Sequence, residues 1–299
     1  MTSAFRTLLL GALALAASPT FAHRQWLLPS ATIFSGANDT VTVDAAASND
    51  LFFPDHRPAN LATIKVWAPD GSAGQIENGA SGRVRSTFDV TLNKPGTWKI
   101  GNANEGVMGS FKLNGEEVRV GGRPGGPRPG GPGTPPAGVR PAAPNADAGG
   151  PPRPRFVSAD QIPAEATEVK LIQTSSRNEI FVTAGEPTTT VFQPTNKGLE
   201  MVPVTHPAEL VAGEPAEFRF LVGGKPAAGL KLSVLPGGKR YRDGDGMIEV
   251  TTGADGVATV TWPEPGMYWL NATYSDTIAD GRITGHRMSY TTTLEVMAP

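Results

Sequence analysis

Cysteine is absent from this 299-residue chain, and charged residues make up only 18% of it, against about 25% in average proteins. Without thiols the chain can form no disulfide, no thiolate metal site and no cysteine nucleophile. The 26 basic and 28 acidic residues nearly balance, so nothing points to nucleic acid as a partner. Any metal that this protein binds must therefore be held without a thiolate.

Catalytic signatures are missing as well. The sequence contains no Gly-x-Ser-x-Gly elbow, no P-loop and no His-Glu-x-x-His motif. We therefore expect a binding protein rather than an enzyme.

Long hydrophobic runs are limited to the first 22 residues, where Leu8 to Ala17 form an apolar stretch after a single positive charge at Arg6. This stretch is shorter than the roughly 20 residues that span a bilayer, and its layout is that of a secretory signal peptide. We expect cleavage after Ala22, export to the periplasm and no transmembrane segment in the mature chain. His23 would then be the first mature residue.

Glycine and proline are concentrated between residues 121 and 154, where 10 Gly and 11 Pro occur among 34 residues. No apolar side chain there is larger than Val139, so the segment has too little apolar surface to offset the entropy of ordering. We expect a disordered insertion. A tolerated surface insertion and a flexible basic arm for an anionic partner both fit its composition.

Short stretches with alternating apolar and polar residues lie on both sides of this insertion, separated by Gly, Pro and Asp. Two of them, residues 169–173 and 179–183, are expected to be separate strands. This pattern is typical of antiparallel β-sandwiches. We expect an all-β protein of two sandwich domains with an immunoglobulin-like or transthyretin-like fold. The first would comprise residues 23–194, interrupted by the insertion 121–154, and the second, immunoglobulin-like, residues 195–299.

The chain contains four histidines, and His23 has the most specific chemistry. A histidine at a free N-terminus offers an α-amine and an imidazole nitrogen that chelate one metal ion, and such donors suit nickel, cobalt, copper and zinc. Further imidazoles or a carboxylate would complete the site.

His56, His206 and His286 are the candidate partners of His23. His56 follows Asp55 in an aromatic loop, where Asp55 would orient the imidazole, or both would be ordinary loop residues. A fixed interdomain contact is the alternative for His206, and an exposed position at a strand end is the alternative for His286. The sequence alone does not tell which of them lie close to His23.

Several stretches together resemble the NikM-like family of exported bacterial proteins, described as the periplasmic component of nickel/cobalt uptake. They are His23–Ser30, Ser48–Phe53, Gly198–Pro207, Ala212–Pro215 and Glu264–Leu270. The resemblance implies that His23 is the family's mature N-terminal histidine and that His206 is the histidine of its Thr-His-Pro motif. Membrane-bound members continue into a C-terminal transmembrane helix, which is not expected here.

We therefore expect a periplasmic protein that binds nickel or cobalt, or alternatively copper. It would serve metal uptake together with a membrane transporter or an outer-membrane receptor. Two alternatives remain open at this point. One is a structural or adhesive module of tandem sandwiches. The other is a copper-dependent oxidative enzyme that uses the N-terminal His23.

Overall fold

The computed structural model describes residues 23–121 and 156–299, so the predicted signal peptide and nearly all of the predicted insertion lie outside the described residues. Within the described part no helix is long and apolar enough to cross a membrane. The strands are, in chain order, β1 (Arg24–Pro29), β2 (Ile33–Phe34), β3 (Asp39–Ser48), β4 (Arg57–Pro58), β5 (Lys65–Trp67), β6 (Glu77–Ser81), β7 (Ser86–Leu92), β8 (Gly96–Leu113), β9 (Glu116–Val120), β10 (Phe156–Val157), β11 (Thr167–Ala184), β12 (Leu199–Pro203), β13 (Pro215–Val222), β14 (Lys225–Pro226), β15 (Lys231–Pro236), β16 (Ile248–Thr251), β17 (Val257–Thr261), β18 (Gly266–Asp280) and β19 (Ile283–Val296). The described helices are five 3₁₀ turns: Leu61–Thr63, Ala159–Gln161, Thr190–Phe192, Pro207–Glu209 and Lys239–Tyr241.

These strands form three sheets. The first has the order β1-β3-β7-β6, with β4 added to β3. The largest has ten strands in the order β10-β9-β8-β11-β19-β18-β15-β16, with β2 on β11 and β5 on β8. The third has the order β12-β13-β14, with β17 on β13. Most pairs are antiparallel, but β11 and β19 pair in parallel near the middle of the large sheet.

The first hydrophobic core lies between the first sheet and the part of the large sheet that contains the start of β8 and the end of β11. In β7 the side chains alternate strictly, so Phe88, Val90 and Leu92 are buried and their neighbours are half-buried. They meet Ile100 of β8 and Ile180 of β11 in the core. This is the packing that period-2 alternation predicts.

The second core lies between the third sheet and β15, β18 and β19 of the large sheet. Phe218 and Phe220 of β13 face Trp262, Tyr268 and Tyr290 there, with edge-to-face contacts between Phe220 and Tyr290 and between Trp262 and Tyr268. The all-β class with two sandwiches is thereby confirmed. The large sheet contains strands from both sides of residues 194 and 195, and the domain boundary placed there stays a prediction.

One strand differs from the sequence-based expectation. Residues 169–173 and 179–183 were expected to be separate strands, but both belong to the 18-residue strand β11. The intervening residues 174–178 are polar and still pair continuously with β8 and β19. Because ladder hydrogen bonds depend on neighbouring strands rather than on side chains, a polar run continues a strand when that face of the sheet is left open.

Candidate functional site

His23 and His56 come together at one end of β3. Ala46 of β3 pairs with Trp26 of β1 and also with Pro58 of β4, so β1 and β4 lie on opposite edges of β3. His23 directly precedes β1, and His56 directly precedes β4. Both imidazoles therefore lie beside the end of β3, and the two-residue strand β4 is what returns the chain to this place.

The two rings are stacked with their centroids 3.5 Å apart and their planes 6° from parallel. Both residues are exposed to solvent, so a metal ion has direct access to them. Imidazole lone pairs lie in the ring plane, so stacked rings direct their lone pairs along parallel planes. A shared metal ion therefore requires one ring to turn, and the exposed position of both residues permits this.

Asp55 is hydrogen-bonded within its own loop. Its carboxylate accepts hydrogen bonds from the backbone N–H of Asn49 at 2.9 Å and from Asn49 Nδ2 at 3.3 Å. Burial alone would raise the pKa of Asp55, but the hydrogen bonds from Asn49 outweigh it and hold the pKa below its usual value. Asp55 thus closes the loop 49–56 and positions His56 through the backbone.

Aromatic residues anchor this loop to the body of the protein. Phe52 adopts φ 58°, which is unusual for a bulky residue, and its ring meets Trp26 edge-on at 5.8 Å. The guanidinium of Arg240 lies 3.3 Å from the ring centroid of Phe53 and pairs with Asp50 at 3.2 Å. The loop that carries His56 is therefore held from both sandwiches. Sequence reasoning identified this aromatic loop but not its partner Arg240.

His206 lies elsewhere and is occupied by structural hydrogen bonds. Its Nδ1 accepts the backbone N–H of Ala208 at 3.0 Å and so caps the 3₁₀ turn Pro207–Glu209. Its Nε2 lies 3.1 Å from Thr97 Oγ1 and 3.3 Å from the carbonyl oxygen of Thr188. Burial lowers the pKa of His206, against opposing contributions from the Thr188 hydrogen bond and the Glu209 carboxylate. These contacts favour the alternative of a fixed interdomain contact.

His286 is also apart from His23. It lies on β19 opposite Asp276 of β18, and its Nδ1 is 2.9 Å from Asp276 Oδ1. The backbone N–H of His286 donates to the same carboxylate oxygen at 2.8 Å. The pair is half-buried, so His286 is a cross-strand partner of an aspartate rather than a free residue at a strand end.

No group of three or more His, Asp or Glu side chains is arranged to hold a metal ion in residues 23–121 and 156–299. The structure thus brings together two of the predicted site residues, His23 and His56, with Asp55 in the supporting loop. His206 and His286 do not join them.

A groove of about 230 Å³ opens beside His23, and sequence reasoning missed it. Four of its residues form one row across neighbouring strands: Asn102 of β8, Asn178 of β11, Thr291 of β19 and Asn271 of β18. The next row across the same strands is also polar and consists of Asn104, Ser176, Ser289 and Thr273. The polar run in residues 174–178 was the available signal, because core strands rarely place amides and hydroxyls on consecutive positions.

β1 borders this groove. The indole N–H of Trp269 donates to the backbone oxygen of Gln25 at 3.0 Å and holds β1 against the large sheet. Asn271 Nδ2 donates to Thr291 Oγ1 at 3.0 Å and to the Tyr290 carbonyl at 3.1 Å, which fixes one amide of the row. Asn178 is 6% exposed, and its Oδ1 is buried without a hydrogen-bond partner.

Solved structures similar to this chain share little sequence with it. A DUF4785 family protein from Legionella pneumophila is 8% identical with a TM-score of 0.22, over 83% of this chain and 50% of that one. The human OSCAR ligand-binding domain is 10% identical with a TM-score of 0.19, over 92% and 99%. The D0-D1 domain of Intimin is 9% identical with a TM-score of 0.19, over 90% and 97%. The chain spans about half the length of the Legionella protein, and at these scores the similarities carry no argument about function.

No curated protein matches the sequence. A family model described as a domain of unknown function, DUF4198, matches residues 20–276, a range that contains His23 and His56. The family resemblance found in the sequence is thereby confirmed at the level of an uncharacterised family, and the finer NikM-like assignment stays a prediction. Because the matched range covers most of the chain, this protein belongs to the DUF4198 family of domains of unknown function.

Proposed function

We propose that this protein binds a divalent transition-metal ion through His23 and His56, and that nickel, cobalt or copper is its cargo. The observation that carries the proposal is the stacked pair of exposed imidazoles, with centroids 3.5 Å apart, at the predicted mature N-terminus. Two histidines from separate segments meet here, and the loop that brings them together is anchored by Asp55 and Arg240.

The donor set depends on processing. Cleavage after Ala22 gives His23 a free α-amine, so the site then offers an amine and two imidazoles. An uncleaved chain offers the two imidazoles alone. Nitrogen donors of this kind suit nickel, copper and cobalt, and their affinity for copper exceeds that for nickel, which exceeds that for cobalt. Availability in the cell, rather than affinity, would select the metal that is bound.

The resemblance to the NikM-like family supports a role in metal uptake. In this role the protein works in the periplasm and delivers the ion to a membrane transporter or receives it from an outer-membrane receptor. The exposed position of both imidazoles supports such transfer, since a partner can reach the ion without unfolding the site.

Isothermal titration with Ni²⁺ and Cu²⁺ tests the proposal on a chain that begins at His23. The matched control carries one alanine ahead of His23, which moves the α-amine away and leaves both imidazoles in place. We expect the added alanine to weaken nickel binding at least tenfold, about 1.4 kcal/mol. Equal affinities of the two chains would overturn the chelate, and no binding by either would overturn the metal function.

A further inference from the structure

The nitrogen donors at His23 and His56 leave the coordination of a metal ion unfinished. The α-amine and two imidazoles supply three donors, whereas Ni²⁺ and Cu²⁺ take four in a square-planar or tetragonal arrangement. No third His, Asp or Glu side chain joins the pair within the described residues. At least one position is therefore open to a ligand from outside the protein.

The groove beside His23 is placed to hold such a ligand. His23 itself lines it, together with Gln25, Asn102, Asn178 and Thr291. Its volume of about 230 Å³ suits a small organic molecule rather than a polymer. The groove is thus continuous with His23, and strands of the large sheet form most of its lining.

The chemistry of the groove favours oxygen-rich anions over bare cations. Its lining contains amides, hydroxyls, Trp269 and Arg24, and no Asp or Glu. The guanidinium of Arg177, which also borders the groove, pairs instead with Glu179 and Glu200. A groove built for a naked cation would present carboxylates. Amide N–H₂ groups, hydroxyls and the guanidinium of Arg24 are instead donors that a carboxylate accepts.

Asn178 lies in the row that lines the groove and is 6% exposed. Its Oδ1 is enclosed by protein and accepts no hydrogen bond, so a ligand in the groove does not reach this oxygen. The N–H₂ group of the same amide is the part that can donate to a carboxylate in the groove.

We propose that the cargo is a metal chelate, in which a small hydroxycarboxylate or amino-acid chelator occupies the groove of Gln25, Asn102, Asn178 and Thr291 while His23 and His56 hold the metal. This inference rests on the proposed metal function and adds the class of ligand to it. The carboxylate would be held by the donors of the groove, among them the N–H₂ group of Asn178.

Equilibrium dialysis with radiolabelled citrate tests the inference on the chain that begins at His23, with and without Ni²⁺. We expect about one citrate to be retained per protein when Ni²⁺ is present, and little retention without it. Asn178→Leu should reduce citrate retention at least tenfold. Asn93→Leu, at an exposed position outside the groove, is the matched control and should retain citrate as the natural chain does.

The same experiment separates the two proposals. If nickel binds alone but citrate only strips it from the protein, the chelate inference is overturned and the metal function stands. If nickel binds neither alone nor with citrate, the metal function is overturned and the inference falls with it. Equal citrate retention with and without nickel, or retention unchanged by Asn178→Leu, would also overturn the inference. Because removal of an unpartnered buried oxygen should not destabilise the fold, thermal unfolding of Asn178→Leu provides the check on folding.

Discussion

The imidazole rings of His23 and His56 lie 3.5 Å apart and nearly parallel, although they precede strands on opposite edges of β3. Neither strand alone contains a metal-binding motif. The pair exists because β3 ends where β1 begins and where the loop 49–56 returns the chain as β4. The testable consequences concern this pair first, and then the fold that supports it.

Two substitutions of His56 separate the contribution of ring stacking to nickel binding from that of the imidazole nitrogens. His56→Phe keeps a flat ring that can stack on His23 but supplies no metal donor, whereas His56→Ala removes both. We expect both variants to weaken nickel binding at least tenfold, and to do so equally, in isothermal titration. Retention of full affinity by His56→Phe would show that the second imidazole is not a ligand.

The stability of the protein should fall as the pH drops below about 6.5, the ordinary pKa of histidine. Burial lowers the pKa of His206 in the folded protein, so its imidazole stays neutral there and takes up a proton on unfolding. The unfolded state then binds more protons, which favours unfolding. Denaturant midpoints at pH 7.5 and 5.5 measure the effect.

His206→Asn is the control for this pH dependence. Asparagine can still accept the backbone N–H of Ala208 and cap the 3₁₀ turn, but it does not titrate. The fall in stability between pH 7.5 and 5.5 should be smaller in the variant. The carboxylates with lowered pKa, such as Asp55 and Asp276, titrate at lower pH and do not disturb this range. An identical pH dependence in both chains would contradict the assignment to His206.

A buried ion network stabilises the junction of the large and third sheets. Arg177 of β11 lies 3.4 Å from Glu179 and 3.1 Å from Glu200, and the three side chains are 10%, 7% and 6% exposed. Arg177→Met would leave both carboxylates buried without a cation, which should lower the free energy of unfolding by about 3–5 kcal/mol.

Arg85→Met is the matched control, since Arg85 pairs with Asp44 at 3.1 Å on the surface, with 53% of its side chain exposed. We expect a loss of at most about 1 kcal/mol there. Urea unfolding of both variants makes the comparison. Equal effects of the two substitutions would contradict the role given to the buried network.

Gly101 of β8 allows close contact with β11. A Cβ at this position would lie 2.8 Å from the Cα of Glu179 and would also meet the backbone oxygen of Asn178. Gly101→Ala should therefore separate the two strands beside the groove and cost about 1–3 kcal/mol. Gly36→Ala, where no atom lies within 4 Å of the added Cβ, should change stability by less than about 0.5 kcal/mol in the same urea unfolding experiment. Similar effects of both would argue against tight contact at Gly101.

The sequence predicted the fold class because inward-facing side chains repeat every second residue. In β7, Phe88, Val90 and Leu92 show this pattern, and they are buried as expected. The same pattern predicted two strands where the structure has the single strand β11, because residues 174–178 are polar and interrupt the alternation. The sequence of a single strand does not show which strands will pair with it. It also does not show that one face of the sheet will stay open to solvent.

The candidate site was predictable in part. The position of His23 after a predicted signal peptide made it a candidate metal donor, and one of its three candidate partners, His56, lies beside it in the structure. Proximity did not follow from the sequence, because it depends on the register of β1 and β4 on β3. His206 and His286 were indistinguishable from His56 until their hydrogen bonds to Ala208 and Asp276 were known.

The sequence by itself determined two things: the absence of cysteine excludes thiolate ligands and disulfides, and the alternation of side chains dictates β-sandwiches. The tertiary structure alone decided which imidazoles meet and that a row of amides and hydroxyls lies beside them. The physical reason is that strand pairing joins distant segments through backbone hydrogen bonds that are nearly independent of the side chains. Composition therefore sets the chemistry that is available, and the register of the strands sets where it is used.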